Sequence, residues 1–310
     1  MKLSIVATLY QSARHLSEFH QRASEAARNL VGEDYEIVLV NDGSPDQSLD
    51  LARQLGEHDR HVVVIDLSRN FGHHKAMMCG LENAIGTEIF LIDSDLEEDP
   101  AWIKDFAEKK ALEKSDVTYG IQEQRKGRPF ERWSGHCFWR LFNLLTGMTL
   151  PANMVTARLM SRRYVEALLE HREREVFMAG LWHITGFHQS QCRVSKRSSS
   201  PSTYTFQRKV ALLVNSVTSF STAPLLYIFY FGIVISLFAS IYISFLCIHW
   251  AFLEKPPSGW TSVMASIWLL GGLIMSSLGI VGVYLSKVFS ETKQRPYTIV
   301  RQVYGRQKQC

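Results

Sequence analysis

Short apolar runs alternate with stretches of helical periodicity through the first hundred residues. Leu3–Leu9 and residues 35–40, 61–67 and 88–92 are β-rich and nearly uncharged, the pattern of strands buried on both faces. Between them lie helical patterns over residues 13–30, 46–56 and 74–84. In the first, Leu16, Phe19, Ala23, Ala27 and Leu30 share one face. This alternation predicts an α/β fold with a parallel, doubly wound sheet. Right-handed crossovers then bring the C-terminal ends of the strands to one edge.

Polar clusters follow each of these runs: Thr8-Leu9-Tyr10, Asn41-Asp42-Gly43-Ser44, Arg69-Asn70, and Asp93-Ser94-Asp95-Leu96-Glu97-Glu98-Asp99. Each alone is ordinary turn chemistry. Together they line one pocket at the sheet edge where open α/β folds bind ligands. Asp93 and Asp95 alternate about Ser94 and can face the same side. Two or three hard oxygen ligands suit Mg²⁺ or Mn²⁺, an ion that would also take a diphosphate. The alternative is a polar turn, with Asp99-Pro100 opening a helix. No Gly-x-Gly-x-x-Gly follows the first strand and no Gly-Lys-Ser/Thr loop is present, which argues against a dinucleotide enzyme and a P-loop NTPase.

The pattern changes after residue 222. No Asp, Glu, Lys or Arg occurs over residues 223–253, nor over 256–286. Each run exceeds the roughly 20 residues that cross a bilayer. Expected spans are about 224–253 and 261–287. Arg208 and Lys209 precede the pair, and Lys287, Lys293, Arg295, Arg301, Arg306 and Lys308 follow it. This asymmetry predicts a multi-pass protein of the inner, cytoplasmic membrane with both termini in the cytoplasm. Residues 206–221 carry Val210, Leu213, Val217 and Phe220 at helical spacing, as in an amphipathic helix lying on the membrane surface. The expected division is therefore a catalytic domain (1–205), an interfacial helix (206–222), a membrane hairpin (223–289) and a cytoplasmic tail (290–310). Gly272, Ser276, Gly279 and Gly282 would let helices pack closely, within the hairpin or in a homo-oligomer.

The 310-residue chain has a formal net charge of +4, too mild to imply nucleic acid. Its five scattered cysteines lack CxxC spacing, and its histidines form no zinc pattern. Residues 1–9 are too short and too strand-like for a signal peptide.

In this order the motifs resemble family 2 glycosyltransferases of the GT-A fold. The likeness is to the branch that transfers sugar to a polyprenyl phosphate, typified by dolichol-phosphate mannose synthase and bacterial membrane-anchored relatives. Asn41-Asp42-Gly43-Ser44 resembles the family's nucleotide loop, and Asp93-Ser94-Asp95 its Asp-x-Asp metal motif. Leu67-Ser68-Arg69-Asn70-Phe71-Gly72-His73-His74-Lys75, Tyr119-Gly120 with Arg125, Trp139-Arg140 with Asn143, Ser219-Phe220-Ser221 and Arg295-Pro296-Tyr297 are similar to further family segments. Three departures stand out. Glu97 occupies a position that is usually Gln, Gln122 one that is usually Arg, and Thr156 one that is commonly Asp. The Gln-x-x-Arg-Trp motif of processive synthases is broken, since Pro129 stands at its Gln position.

The resemblance implies inverting transfer from a nucleotide-diphosphate sugar to a polyprenyl phosphate such as undecaprenyl phosphate. It implies a metal held by Asp93 and Asp95, with Glu97 a further candidate, and Asp95, Arg125 and Arg128 as the catalytic set. Thr8, Tyr10, Asn41, Asp42, Arg69, Lys75, Asp93 and Ser94 would bind the donor. Arg125, Arg128, Arg132 and Arg197 would hold the acceptor phosphate, a task suited to guanidinium groups. Two other readings remain open at this point: transfer to a hydroxyl of a lipid-linked glycan, with Asp99 or Glu131 as the candidate base, and a membrane adaptor that keeps the fold without catalysis.

Overall fold

The computed structural model describes residues 2–122, 140–151, 153–174, 176–196, 214–252 and 259–305. They fall into two compact units. One gathers residues 1–139, 149–204 and 295–310, and the other residues 140–148 and 205–294.

The first unit is built on an eight-stranded sheet. Its strands are β1 (Leu3–Leu9), β2 (Tyr35–Asn41), β3 (Val62–Leu67), β4 (Glu88–Leu91), β5 (Val117–Gln122), β6 (Met154–Ser161), β7 (Gln189–Val194) and β8 (Val300–Tyr304), in the order β7-β5-β6-β4-β1-β2-β3-β8. The four strands read from the apolar runs are parallel to one another, as expected. Two others run against them: β6 lies antiparallel between β4 and β5, and β8 antiparallel on β3. The sheet is thus mostly parallel with antiparallel insertions, a GT-A-like arrangement rather than a uniform doubly wound sheet.

Helices α1 (Leu16–Val31), α2 (Ser48–His58) and α4 (Trp102–Glu113) cover one face, and α3 (His73–Asn83) and α6 (Arg162–Leu169) the other. Short helix α7 (Met178–Ile184) completes this unit's order up to β7, while α5 (140–146) belongs to the second unit. The α1 stripe behaves as its spacing predicts. Leu16, Phe19, Ala23 and Ala27 are fully buried, packed with Ile5, Ile37, Phe90 and Phe106. Burying this apolar surface from both sides is the main stabilising term of the unit.

Chain order reverses at β1. Helix α1 leads to β2 on one side, whereas the crossover through α3 leads to β4 on the other. Loops after β1 and β4 therefore part at the strand ends and leave a crevice, the usual ligand position in such sheets.

Of residues 290–310, expected as a tail, Val300–Tyr304 form β8 and 306–310 lie outside the described residues. Residues 295–310 belong to the α/β unit, and β8 closes its edge. An uncovered β3 would expose a row of unpaired backbone groups, and β8 satisfies them. Gly305 permits the approach: its φ is +81°, and a Cβ there would lie 2.2 Å from the Val62 carbonyl oxygen.

In the second unit, α8 (214–220) falls within the segment expected as an interfacial helix, of which residues 206–213 lie outside the described residues. Helices α9 (Ala223–Phe252) and α10 (Trp260–Thr292) follow, close to the predicted spans. Large apolar side chains such as Phe231, Leu237, Trp268, Ile274 and Leu285 are exposed along both. Stretches Ala223–Tyr242 and Ser266–Thr292 are long and apolar enough to cross a membrane. A Cβ added at Gly272, Gly279 or Gly282 would meet nothing within 4 Å among the described residues.

Gly305→Ala should strain the end of β8 by more than about 1 kcal/mol. Faster amide exchange is expected in β8 and in the β3 amides it covers, with β1 and β4 unchanged. Unchanged protection in β8 would contradict its role as a fitted edge strand.

Candidate active site

The crevice is closed at its floor by Ser94. This side chain, 4% exposed, donates to the Thr8 carbonyl at 2.8 Å and meets the Ser12 hydroxyl at 3.1 Å. It ties the end of β4 to the end of β1. The sequence suggested Ser94 as a donor-binding group; its hydroxyl instead serves as a brace beneath the pocket.

The loop after β2 is fixed with equal care. The Asp42 carboxylate accepts from the Phe71 amide at 2.7 Å and the Gly72 amide at 3.0 Å. It thereby fastens the entry of α3 to the nucleotide-type loop. Gly43 has φ +60°, and a Cβ there would lie 2.4 Å from the Asn70 amide nitrogen, so the two loops touch through bare backbone. Asn41 donates to Asp66 at 2.9 Å and accepts from the Ser44 amide at 3.3 Å. Beyond them Asp46 accepts from the hydroxyls of Ser44 and Ser48 and the amides of Ser48 and Ala13. What burial it has pushes this carboxyl up, but those donors dominate and bring it down to about 2. Tyr10 is half exposed at the rim, where a planar base could stack. Arg69 is exposed and stacked over Phe71 at 4.1 Å, and Lys75 lies in the first turn of α3.

Carboxylates crowd the other side. Asp93 faces His73, with 3.3 Å between Oδ1 and Nε2, and the other ring nitrogen of His73 meets the Thr8 hydroxyl at 2.9 Å. Burial pushes the Asp93 carboxyl up, but the hydrogen bond and charge of His73, with Lys196 and the Thr156 hydroxyl, hold it below the usual range. Burial also depresses His73, and its Asp93 partner more than offsets this, so the imidazole is raised. Asp95 goes the other way: burial and the neighbouring charges of Asp93 and Glu97 raise it. Two adjacent carboxylates of opposite tendency are what a pair sharing one crevice should show.

The expected set of Asp93, Asp95 and Glu97 does not converge. Among the described residues no group of three or more His, Cys, Asp or Glu side chains stands together as a cage. The reason is local. Alternation holds only in extended chain, β4 ends at Leu91, and Leu96 has φ +62°. Past that turn Glu97 is tied by its amide to Asp95 Oδ1 at 3.0 Å, and Glu98 points inward. Glu98 is fully buried, accepts from the amides of Thr156 and Ala157 at 3.0 and 2.8 Å, and pairs with Lys196 at 2.8 Å. Burial and the Asp93 charge raise Glu98, whereas Lys196 opposes that rise. Glu97 is only a further candidate beside Asp93 and Asp95, and its neighbour Glu98, not considered as a ligand, is the one tied into the structure. The contacts that distinguish Glu98, with the Thr156 and Ala157 amides and with Lys196, come from 58 to 98 residues away in the chain, and no local pattern encodes them.

A divalent cation fits this end of the crevice as a shared guest. Asp93 Oδ1 is buried and lacks a hydrogen-bond donor in good geometry, and Asp95 is its exposed neighbour. One or two carboxylates, with water and substrate phosphates completing the shell, is ordinary Mg²⁺ chemistry.

At the position where a carboxylate is common, Thr156 donates its hydroxyl to Asp93. Next to it, Arg158 is fully buried, stacked on Trp182 and bonded to the carbonyls of Thr156 and Val155 at 3.1 and 3.3 Å. Burial brings its guanidinium down to about 9. Asp99, a candidate base for the glycan reading, is ion-paired with Arg22 and accepts from the Ala101 amide. Arg125, Arg128, Arg132 and Arg197 lie outside the described residues, as does Glu131.

Residues 4–169 match the sequence family described as "Glycosyl transferase family 2". The chain is 49% identical over 305 residues to "Putative glycosyltransferases" of Mycobacterium tuberculosis (strain CDC 1551 / Oshkosh), covering 98% of this chain and 89% of that one. It is 30% identical over 307 residues to "Prophage bactoprenol glucosyl transferase homolog" of Escherichia coli (strain K12), covering 98% and 99%. It is also 28% identical over 305 residues to "Bactoprenol glucosyl transferase" of Shigella phage SfV, covering 97% and 98%. With the matched segment spanning β1 to α6 and thus both sides of the crevice, the chain belongs to glycosyl transferase family 2 and is a glycosyltransferase.

Proposed function

We propose that this enzyme transfers a sugar from a nucleotide-diphosphate sugar to a polyprenyl phosphate, with inversion, at the cytoplasmic face of the membrane. The observation that carries the reading is the pairing of Asp93 and Asp95 with the Asn41–Asp42 loop across the β1/β4 crevice. One side offers a rigid loop for a nucleoside. The other offers carboxylates suited to a cation-bound diphosphate. Relatives over nearly the whole chain carry the name bactoprenol glucosyl transferase.

Asp93 and Asp95 would hold the cation. Mg²⁺ or Mn²⁺ bound there neutralises the charge that grows on the leaving diphosphate. Thr156 and His73 keep Asp93 ionised and oriented, and Lys196 contributes a further positive charge beside both carboxylates. Ser94 keeps the two strand ends at a fixed separation.

The acceptor chemistry favours a phosphate. A sugar hydroxyl needs a base to take its proton, whereas a phosphate monoester is already anionic near neutral pH. Position 156 offers a hydroxyl that is committed to Asp93, and Asp99 is committed to Arg22. The arginines expected to hold the acceptor, Arg125, Arg128, Arg132 and Arg197, suit an anion better than a neutral sugar.

Two apolar helices separate β7 from β8, and both strands belong to one sheet. A chain that leaves this unit and returns to it crosses a membrane an even number of times. The basic residues on either side of the pair then favour the cytoplasm for the catalytic unit.

Purified full-length protein incubated with Mn²⁺ or Mg²⁺, a panel of nucleotide sugars and undecaprenyl phosphate should yield a sugar–phosphate–lipid. Product formed only with a glycan-bearing lipid would overturn the acceptor assignment. Asp95→Ala should lower turnover by about a hundredfold or more, with the fold and membrane association intact. Retained activity would remove Asp95 from the reaction. Lys196→Met should leave Glu98 buried without its cation and destabilise the α/β unit by about 3 kcal/mol. Adding Glu98→Gln should recover part of that loss in a thermal melt.

A further inference from the structure

Beyond the crevice itself, one chain of contacts leads from the donor side to the strand that follows α10. The β8 ladder pairs Ile65 with Val303, Asp66 with Gln302 and Leu67 with Val300, so Arg301 is an extra residue at a bulge. Bulges re-aim side chains, and this one turns Arg301 toward the end of β3. Its guanidinium lies 3.2 Å from Asp66 Oδ2 and donates to the Ser68 carbonyl at 2.7 Å. Asp66 is 1% exposed, and its other oxygen accepts from Asn41 at 2.9 Å. Asn41 in turn accepts from the Ser44 amide at 3.3 Å. The Ser68 amide donates to the Ile299 carbonyl at 2.9 Å. The end of β3 is therefore held from outside by the returning chain, and it holds the nucleotide-type loop from inside.

We propose that Arg301 is a positioning residue for donor binding, acting through Asp66 and Asn41 on the loop that receives the nucleoside diphosphate. This rests on the donor-site reading given above. A buried carboxylate without a counter-charge is strongly unfavourable. With Arg301 in place, a positive charge faces Asp66 Oδ2 while Oδ1 stays directed at the Asn41 amide. Without it, Asp66 is left to seek water or a new donor, and Asn41 loses the partner that fixes its rotamer. The returning chain thus does more than close a sheet edge: the catalytic unit binds its donor well only when the segment after α10 is docked. Arg53, stacked on Tyr304 at 4.9 Å, anchors the far end of the same strand and has no part in the Asp66 contact.

The test uses full-length protein in detergent with Mn²⁺, titrated calorimetrically with UDP, GDP and dTDP. The nucleotide bound most tightly by the wild type is carried forward to the variants. Arg301→Ala is expected to weaken its binding roughly tenfold. Arg301→Lys, which keeps the charge but loses the fork, should fall between Arg301→Ala and the wild type. Adding Asp66→Asn to Arg301→Ala should recover part of the loss, because the uncompensated charge is then gone. Arg53→Ala should stay within about twofold of the wild type. With saturating donor, kcat should change by less than about twofold in Arg301→Lys, so that the defect is confined to KM for the donor. Wild-type affinity in Arg301→Ala would overturn the proposal, as would an equal loss in Arg53→Ala, which would reduce Arg301 to a strand anchor. Should Arg301→Ala fail to fold, wild-type affinity in Arg301→Lys would overturn it. If the wild type binds none of the three nucleotides, the donor-site reading falls and takes this proposal with it.

Discussion

Carboxylates gathered at the end of one buried strand repel one another, and much of the α/β unit answers that repulsion. Asp93, Asp95, Glu97, Glu98 and Asp99 follow β4 within eight residues. Glu98 is neutralised by Lys196 and two backbone amides, Asp93 by His73 and Thr156, and Asp99 by Arg22. Asp95 is left with its carboxyl raised by burial and by its neighbours' charge. The partners come from β6, the segment after β7, α3 and α1, so the acidic end of β4 draws together elements distant in the chain. What remains unneutralised faces the crevice, where a cation and a diphosphate would complete the balance.

The opposite wall follows a different logic. Around Asn41, Asp42 and Gly43 the contacts are hydrogen bonds to backbone amides and a glycine with no space for a side chain. On the proposed reading, this wall would take the nucleoside and the acidic wall the diphosphate of a donor whose leaving group gains negative charge as the glycosidic bond breaks.

Much of this was legible in the sequence. The first four strands, three helices and both long apolar helices were readable because each carries its own period or length signal. Asp93 and Asp95 were readable because they end a strand. The antiparallel placement of β6 and the return of β8 were not, since pairing order depends on partners far away in the chain. Glu97 drew attention because it stands where the resembled family usually has Gln, and past the left-handed turn at Leu96 it is Glu98 that points into the structure. Arg301 was countable only as a positive charge after a span; its contact with Asp66 arises from a bulge that no local pattern announces.

The most direct test of the account is an experimental structure of the full-length protein with Mn²⁺ and the nucleoside diphosphate it binds most tightly, with the ion located by anomalous scattering. The account predicts the ion against Asp93 and Asp95, bridging to the diphosphate, with the nucleoside against the Asn41–Ser44 loop. An ion held by other side chains, or a nucleotide seated outside the β1/β4 crevice, would contradict it.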